Sequence, residues 1–206
     1  MAMQVQCTFN FKYINMKMSM GIFTEDYSHE EIVFGGGCFW CTEAVFKLIK
    51  GVVSVEPGYA GGREEDSVYE EGMPDNAGHA EVVKITYDPK IISLDDLLAV
   101  FFASHDPTTL DRQGGDIGEE YRSMILYTTK EQERKVKDFI TKINRSSLHG
   151  KTIVTQVSKL EIFHEAEEHH RDYYRKNPEE AYCQAVIKPK LEKVQKEFAN
   201  LLKKHA

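Results

Sequence analysis

The apolar run Glu31-Ile32-Val33-Phe34 stops at three consecutive glycines, Gly35-Gly36-Gly37, and helical spacing begins directly behind them, with Phe39, Val45, Phe46 and Ile49 apolar. This reads as a strand, a glycine turn and a helix. Gly51 stands where a helix C-cap would, and VVSVEPGYAGG over 52–62 reads as a second strand entering a glycine-rich turn. Together they form a βαβ-like unit.

The rest of the chain continues the alternation. Residues 63–78 are polar, carry Gly72, Pro74 and Gly78 and lack a period, so they read as a long surface loop. Ala80 to Tyr87 alternates like a half-buried strand that Pro89 closes. Ser93 is placed to cap a helix that begins with Asp95 and Asp96, where the macrodipole favours acids. A second long loop spans 106–123, SMILYTT (123–129) reads as a strand, 130–144 as a charged amphipathic helix and 152–163 as one further strand. The tail reads as a helix ending near Asn177-Pro178, a turn and a final amphipathic helix. Without repeats or linkers, helices interleaved with strands argue an α+β or α/β sandwich in one domain.

Composition narrows the function classes. At 206 residues, 41% apolar and 29% charged, the chain suits one folded domain with one core. A net charge of −7 opposes a phosphate backbone, so nucleic acid is not the expected partner. No apolar run approaches the roughly 20 residues of a membrane span, and residues 1–30 lack the pattern of a secretory signal, which makes the cytosol the expected location. The four cysteines, Cys7, Cys38, Cys41 and Cys183, are too few and too uneven for a disulfide framework; reduced thiols are expected.

The sharpest local feature is GGGCFWCTE. A cysteine at a helix start has first-turn N–H groups and the positive end of the macrodipole to stabilise a thiolate, and the glycines leave its sulfur approachable. Cys38 is thus a candidate nucleophile, and Cys38-x-x-Cys41 has the spacing of a redox dithiol, as in disulfide oxidoreductases. One such pair supplies only two zinc ligands, and no second pair follows. His164 and His169 are five apart rather than four and diverge on a helix, so they do not form a metalloprotease site. His169 and His170 read as a solvated or locally hydrogen-bonded face. No metal is expected.

GGGCFWCTEAVF, GYAGG at 58–62, GHAEVVKITYDP at 78–89, and HDP with RQGGDIGEEYRS between 105 and 123 resemble the peptide methionine sulfoxide reductase A family, in the family's order, over about residues 32–189. The resemblance implies an α+β fold, a single-domain ferredoxin-like α/β sandwich with a mixed sheet over 31–206, preceded by a partly mobile extension over 1–30. It also implies reduction of methionine S-sulfoxide, free and in oxidised proteins, through a cysteine sulfenic acid and a disulfide. Thioredoxin would be the external reductant, with no bound cofactor, and the enzyme is expected to be a monomer without membrane partners.

In that resemblance Cys38 matches the nucleophile and Glu81 the catalytic acid. Apolar neighbours at a strand start could raise the Glu81 pKa enough to hold a proton at neutral pH. Tyr69 and Tyr121 match tyrosines that hydrogen-bond the substrate oxygen, and Asp116 matches the carboxylate that takes the substrate backbone amide. Phe39 and Trp40 are expected to wall an apolar pocket for the methyl group. Departures are Glu71 and Ala77 in the first long loop and, above all, the tail. There, Cys183 matches a first recycling cysteine, no second follows, and a helical pattern replaces the glycine-rich end. The resolving thiol is therefore Cys183, which the resemblance favours, or Cys41, which the spacing puts nearby. Cys7 has no matching role.

Overall fold

The computed structural model describes residues 29–62, 78–146 and 150–204. Along the chain run β1 (Glu30–Gly36), α1 (Phe39–Lys47), β2 (Val52–Ala60), β3 (Ala80–Tyr87) and α2 (Leu94–Ser104). A small hairpin, β4 (Arg112–Gln113) and β5 (Asp116–Ile117), precedes β6 (Ser123–Tyr127) and α3 (Lys130–Ser146). The short strands β7 (Gln156–Lys159) and β8 (Phe163–Glu165) lead to α4 (Tyr173–Lys176) and α5 (Lys188–Glu197).

The main sheet has the order β7-β6-β1-β3-β2-β8. All neighbours are antiparallel except β6 and β7, which are parallel, so the sheet is mixed. β3 sits between β1 and β2, which makes the opening unit a split βαβ; with α2 and β6 it completes the expected ferredoxin-like sandwich. Ile32 and Phe34 of β1 face the helices, where the Phe34 ring lies 4.6 Å from Phe101 of α2 and 5.3 Å from Phe46 of α1. Val33 points to the opposite face and packs with Ala60, Ala80, Val82, Met124 and Leu126. Burial on both faces explains why β1 reads as a continuous apolar run.

The stretch 152–163, expected to be one strand, is two. β7 pairs with β6 at one edge of the sheet and β8 pairs with β2 at the other. Six flat strands would span about 24 Å, whereas the four steps from Lys159 to Phe163 reach about 14 Å at most. The sheet must therefore curl, and Leu160 and Phe163 close its second face.

Other boundaries moved for local reasons. Gly35 and Gly36 belong to β1, opposite Met124 and Ser123, and the turn narrows to Gly37. There φ is +87°, and a Cβ would lie 2.6 Å from the Gln113 side chain, so only glycine fits. α1 ends at Lys47 rather than at Gly51, because Ile49 pairs with Leu202 in an isolated bridge and the chain turns early. The 106–123 loop contains the β4–β5 hairpin and a 3₁₀ turn at Glu119–Tyr121. Ser93 does cap α2, in a reciprocal box with Asp96.

Candidate active site

Cys38 is the N-cap of α1, held there by the Gly37 turn, and is 8% exposed. The next residue, Phe39, donates its backbone N–H to Glu81 Oε2 at 3.0 Å. β3 thus delivers a carboxylate to the positive end of the helix that carries the nucleophile. Burial pushes Glu81 up to about 7 against that stabilising N–H, and the charges of Asp116, Glu120 and Cys41 push the same way. Burial thus raises the Glu81 carboxyl in the direction its apolar neighbours suggest.

The thiols depart from the simple expectation of a Cys38 thiolate. Cys38 shares its proton with Cys41, and that hydrogen bond, burial and the charge of Glu81 all hold its thiol up. Cys41, 2% exposed, is held down at about 7, first by the bond from Cys38 and then by the Lys190 charge, with burial opposing. Its backbone N–H donates to the Cys38 carbonyl at 3.1 Å, and its Sγ lies 3.8 Å from the Tyr182 hydroxyl. Of the two thiols, Cys41 is therefore the more readily ionised. A helix start favours a thiolate at Cys38 only while no carboxylate occupies the same N–H groups, and Glu81 occupies one.

Tyr121 ends the 3₁₀ turn beside the site. Burial, followed by the charges of Glu81, Glu120, Cys38 and Asp116, raises its hydroxyl to about 12, so it stays a proton donor. Asp116, on β5, accepts the Tyr182 hydroxyl at 2.7 Å. Gln113 fixes this hairpin: its amide bonds both the N–H and the carbonyl of Asp106 at 3.0 Å while its stem packs on Gly37. Tyr69, Glu71, Ala77 and Cys7 lie outside the described residues.

Phe39 is 2% exposed and packs on Tyr59 and His170, with ring centroids 5.6 and 5.1 Å away. Trp40 is half-buried. Its Nε1 donates to His170 Nδ1 at 3.1 Å, Tyr173 stacks flat on it at 3.5 Å, and Tyr182 meets it edge-on at 6.0 Å. Cys183 is fully buried, and the charges of Glu180 and Cys41 add to the burial that raises it.

Sequence reading missed four residues here. His170, read as part of a solvated or locally hydrogen-bonded face, lies 3.7 Å from Glu167 and also accepts from Trp40 Nε1, with burial and the neighbouring His169 holding it below the ordinary histidine range. His169 is exposed as expected, because a 3₁₀ turn throws successive residues to different sides. Tyr173 and Tyr182 arrive from the tail, and no local pattern marks them. Arg122, 7% exposed, donates to the carbonyls of Gly61, Gly78 and Glu119 at 2.8 to 3.1 Å, joining the ends of β2 and β3 to the Tyr121 turn.

Among known families, the one described as peptide methionine sulfoxide reductase matches residues 30–202. The chain is 48% identical over 176 residues to the peptide methionine sulfoxide reductase MsrA of Saccharolobus solfataricus, covering 85% of this chain and 98% of that protein. It is 51% identical over 169 residues to that of Sulfolobus acidocaldarius, covering 82% and 95%. Among solved structures, reduced Mxr1 from Saccharomyces cerevisiae superposes with a TM-score of 0.67 at 30% identity, covering 75% of this chain and 89% of that one. Methionine sulfoxide reductase A of Corynebacterium diphtheriae gives 0.65 at 30%, covering 73% and 76%. With a thiol pair and an elevated carboxyl meeting at one helix start, and with relatives matched over almost their full length, this chain belongs to the peptide methionine sulfoxide reductase family.

Proposed function

We propose that this enzyme reduces methionine S-sulfoxide, free and in oxidised proteins, with Cys38 as nucleophile and Glu81 as acid. The observation that carries the reading is the Glu81 carboxyl, bonded to the N–H directly after Cys38 and pushed up to about 7 by burial. Moving one proton from Cys38 to Glu81 creates both reactants at once, a thiolate and a carboxylic acid, and removes the carboxylate charge that held the thiol up. The Cys38 sulfur then attacks the sulfoxide sulfur, forming a sulfur–sulfur bond while Glu81 protonates the oxygen with Tyr121 and Tyr69 donating to it; the hydroxyl passes to the Cys38 sulfur as that bond and the old sulfur–oxygen bond break, and methionine departs with its lone pair restored. Cys38 is left as a sulfenic acid, one oxygen richer.

A second thiol condenses with that acid, forming a disulfide and releasing water, and thioredoxin restores the dithiol by exchange. Cys41 is the better-placed resolving thiol in this conformation, since it already shares a proton with Cys38 and is held down at about 7. Cys183, which the family resemblance favours, is buried at the start of a π turn and needs its segment to move. Chemistry that begins from reduced thiols suits a reducing compartment, and we place the enzyme in the cytosol. The test is single-turnover reduction of an S-sulfoxide peptide without reductant. One methionine per enzyme is expected from the parent and none from Cys38→Ser, and methionine formed by Cys38→Ser overturns the reading.

A further inference from the structure

Glu43 is a carboxylate 2% exposed on α1, a place where an unpaired charge is strongly unfavourable. Its two oxygens both accept the backbone N–H of Asp172, each at 3.0 Å, across 129 residues of sequence. Its Oε1 also meets Lys47 Nζ at 2.9 Å, one turn on, and Lys47 in turn pairs with the Asp172 carboxylate. Asp172 itself is left-handed, φ +57°, a conformation that a non-glycine residue adopts only where its surroundings hold it.

The position of this clamp gives it meaning. Asp172 stands between His170, which accepts from Trp40 Nε1, and Tyr173, which stacks on the Trp40 ring. Trp40, Glu43 and Lys47 are spaced i, i+3 and i+7 and so share one face of α1, along which the tail segment lies. The orientation of Trp40 is therefore set from two sides by His170 and Tyr173, which flank the Asp172 N–H that Glu43 holds.

We propose that Glu43 is a positioning residue for the sulfoxide site: by fixing the Asp172 backbone it keeps His170 and Tyr173 on Trp40 and so sets the wall that receives the substrate methyl group. This rests on the reading of Trp40 as part of that wall. Glu43 touches no reacting atom, so its loss should loosen substrate binding and leave the bond-making step nearly as fast.

Trp40 is the sole tryptophan, and its fluorescence in the full-length enzyme reports the clamp directly. In Glu43→Ala its emission should shift to the red and open to acrylamide quenching, with Glu43→Gln between parent and Ala, because one amide oxygen remains while the Lys47 pair is lost. In single-turnover reduction of an S-sulfoxide peptide, Glu43→Ala should need about tenfold more peptide for half-maximal rate, with the maximal rate within about twofold of the parent. Tyr173→Ala, which removes the stack without touching α1, should reproduce the binding loss, and Glu43→Ala should add nothing in a Trp40→Ala background.

Unchanged emission and half-saturation in Glu43→Gln and Glu43→Ala overturn the proposal, as does a lost maximal rate at unchanged half-saturation. If Glu43→Ala does not fold, unchanged emission in Glu43→Gln alone overturns it. Should Glu43→Ala shift the emission while Trp40→Ala leaves half-saturation unaltered, the reading of Trp40 as the wall has failed, and the substrate role of Glu43 falls with it.

Discussion

The Tyr182 hydroxyl donates to Asp116 Oδ2 at 2.7 Å, joining the tail to the β4–β5 hairpin across 66 residues. Asp116 is the carboxylate that the family resemblance gives to the substrate backbone amide, so the tail holds the acceptor that a peptide would use. Removing the competitor should help the peptide. Tyr182→Phe is expected to lower the half-saturating concentration of a peptide sulfoxide by about two- to tenfold, the scale of one hydrogen bond. Comparing the peptide with a sulfoxide lacking a backbone amide checks it, since only the peptide should gain.

Glu81→Gln keeps the size of the side chain and removes its proton. Substrate should still bind, while the single-turnover rate falls by about 10²-fold or more, the usual scale of a positioned acid. Rapid-quench measurement of methionine formation checks this, and a rate near that of the parent removes Glu81 from the acid role.

The pH dependence follows from three groups that titrate together. Attack needs one negative charge on Cys38 and one proton on Glu81. Below about 7 the cluster is fully protonated and lacks a thiolate, so the reductive step rises as the first proton leaves. Above about 7 Cys41 and Glu81 both tend to ionise, and the acid is lost. A bell centred near neutrality is expected from single-turnover rates. Cys41→Ala removes the bond and the charge that hold the Cys38 thiol up, so the rising limb should move to lower pH.

The resolving thiol is decided by what one turnover leaves behind. With Cys41 in that role, peptide mapping of the parent after one turnover without reductant shows a Cys38–Cys41 disulfide, and Cys41→Ser accumulates a sulfenic acid that dimedone traps. With Cys183 in that role, the bridge is Cys38–Cys183, and Cys183→Ser is the variant that dimedone labels. Thioredoxin-dependent turnover should fail in whichever variant is labelled.

Features set by near neighbours in the chain were legible without a structure. The strand that precedes the glycines, the helix start at Cys38 and the cap of Ser93 on Asp96 depend on residues within a few positions of one another. The motif match at Cys38, Glu81, Tyr121 and Asp116 likewise named groups whose charges do reach one another, as the rise of Tyr121 shows. The family and its reaction followed from those same stretches.

What spans the chain was not legible. An apolar run at 152–163 carries no sign of which strand it will pair with, and the curl of the sheet splits it between opposite edges. The Cys38 thiol is held up first by its bond with Cys41 and then by burial and the Glu81 charge, and of these only the first lies within GCFWC. Nothing local marks Glu43, and nothing local pairs His170 with Trp40, until the tail folds back on α1. Local patterns report backbone propensity and burial, both properties of a few neighbouring residues. The Phe39–Glu81 bond and the wall around Trp40 join residues 42 or more positions apart, and only the tertiary structure decides which pairs meet.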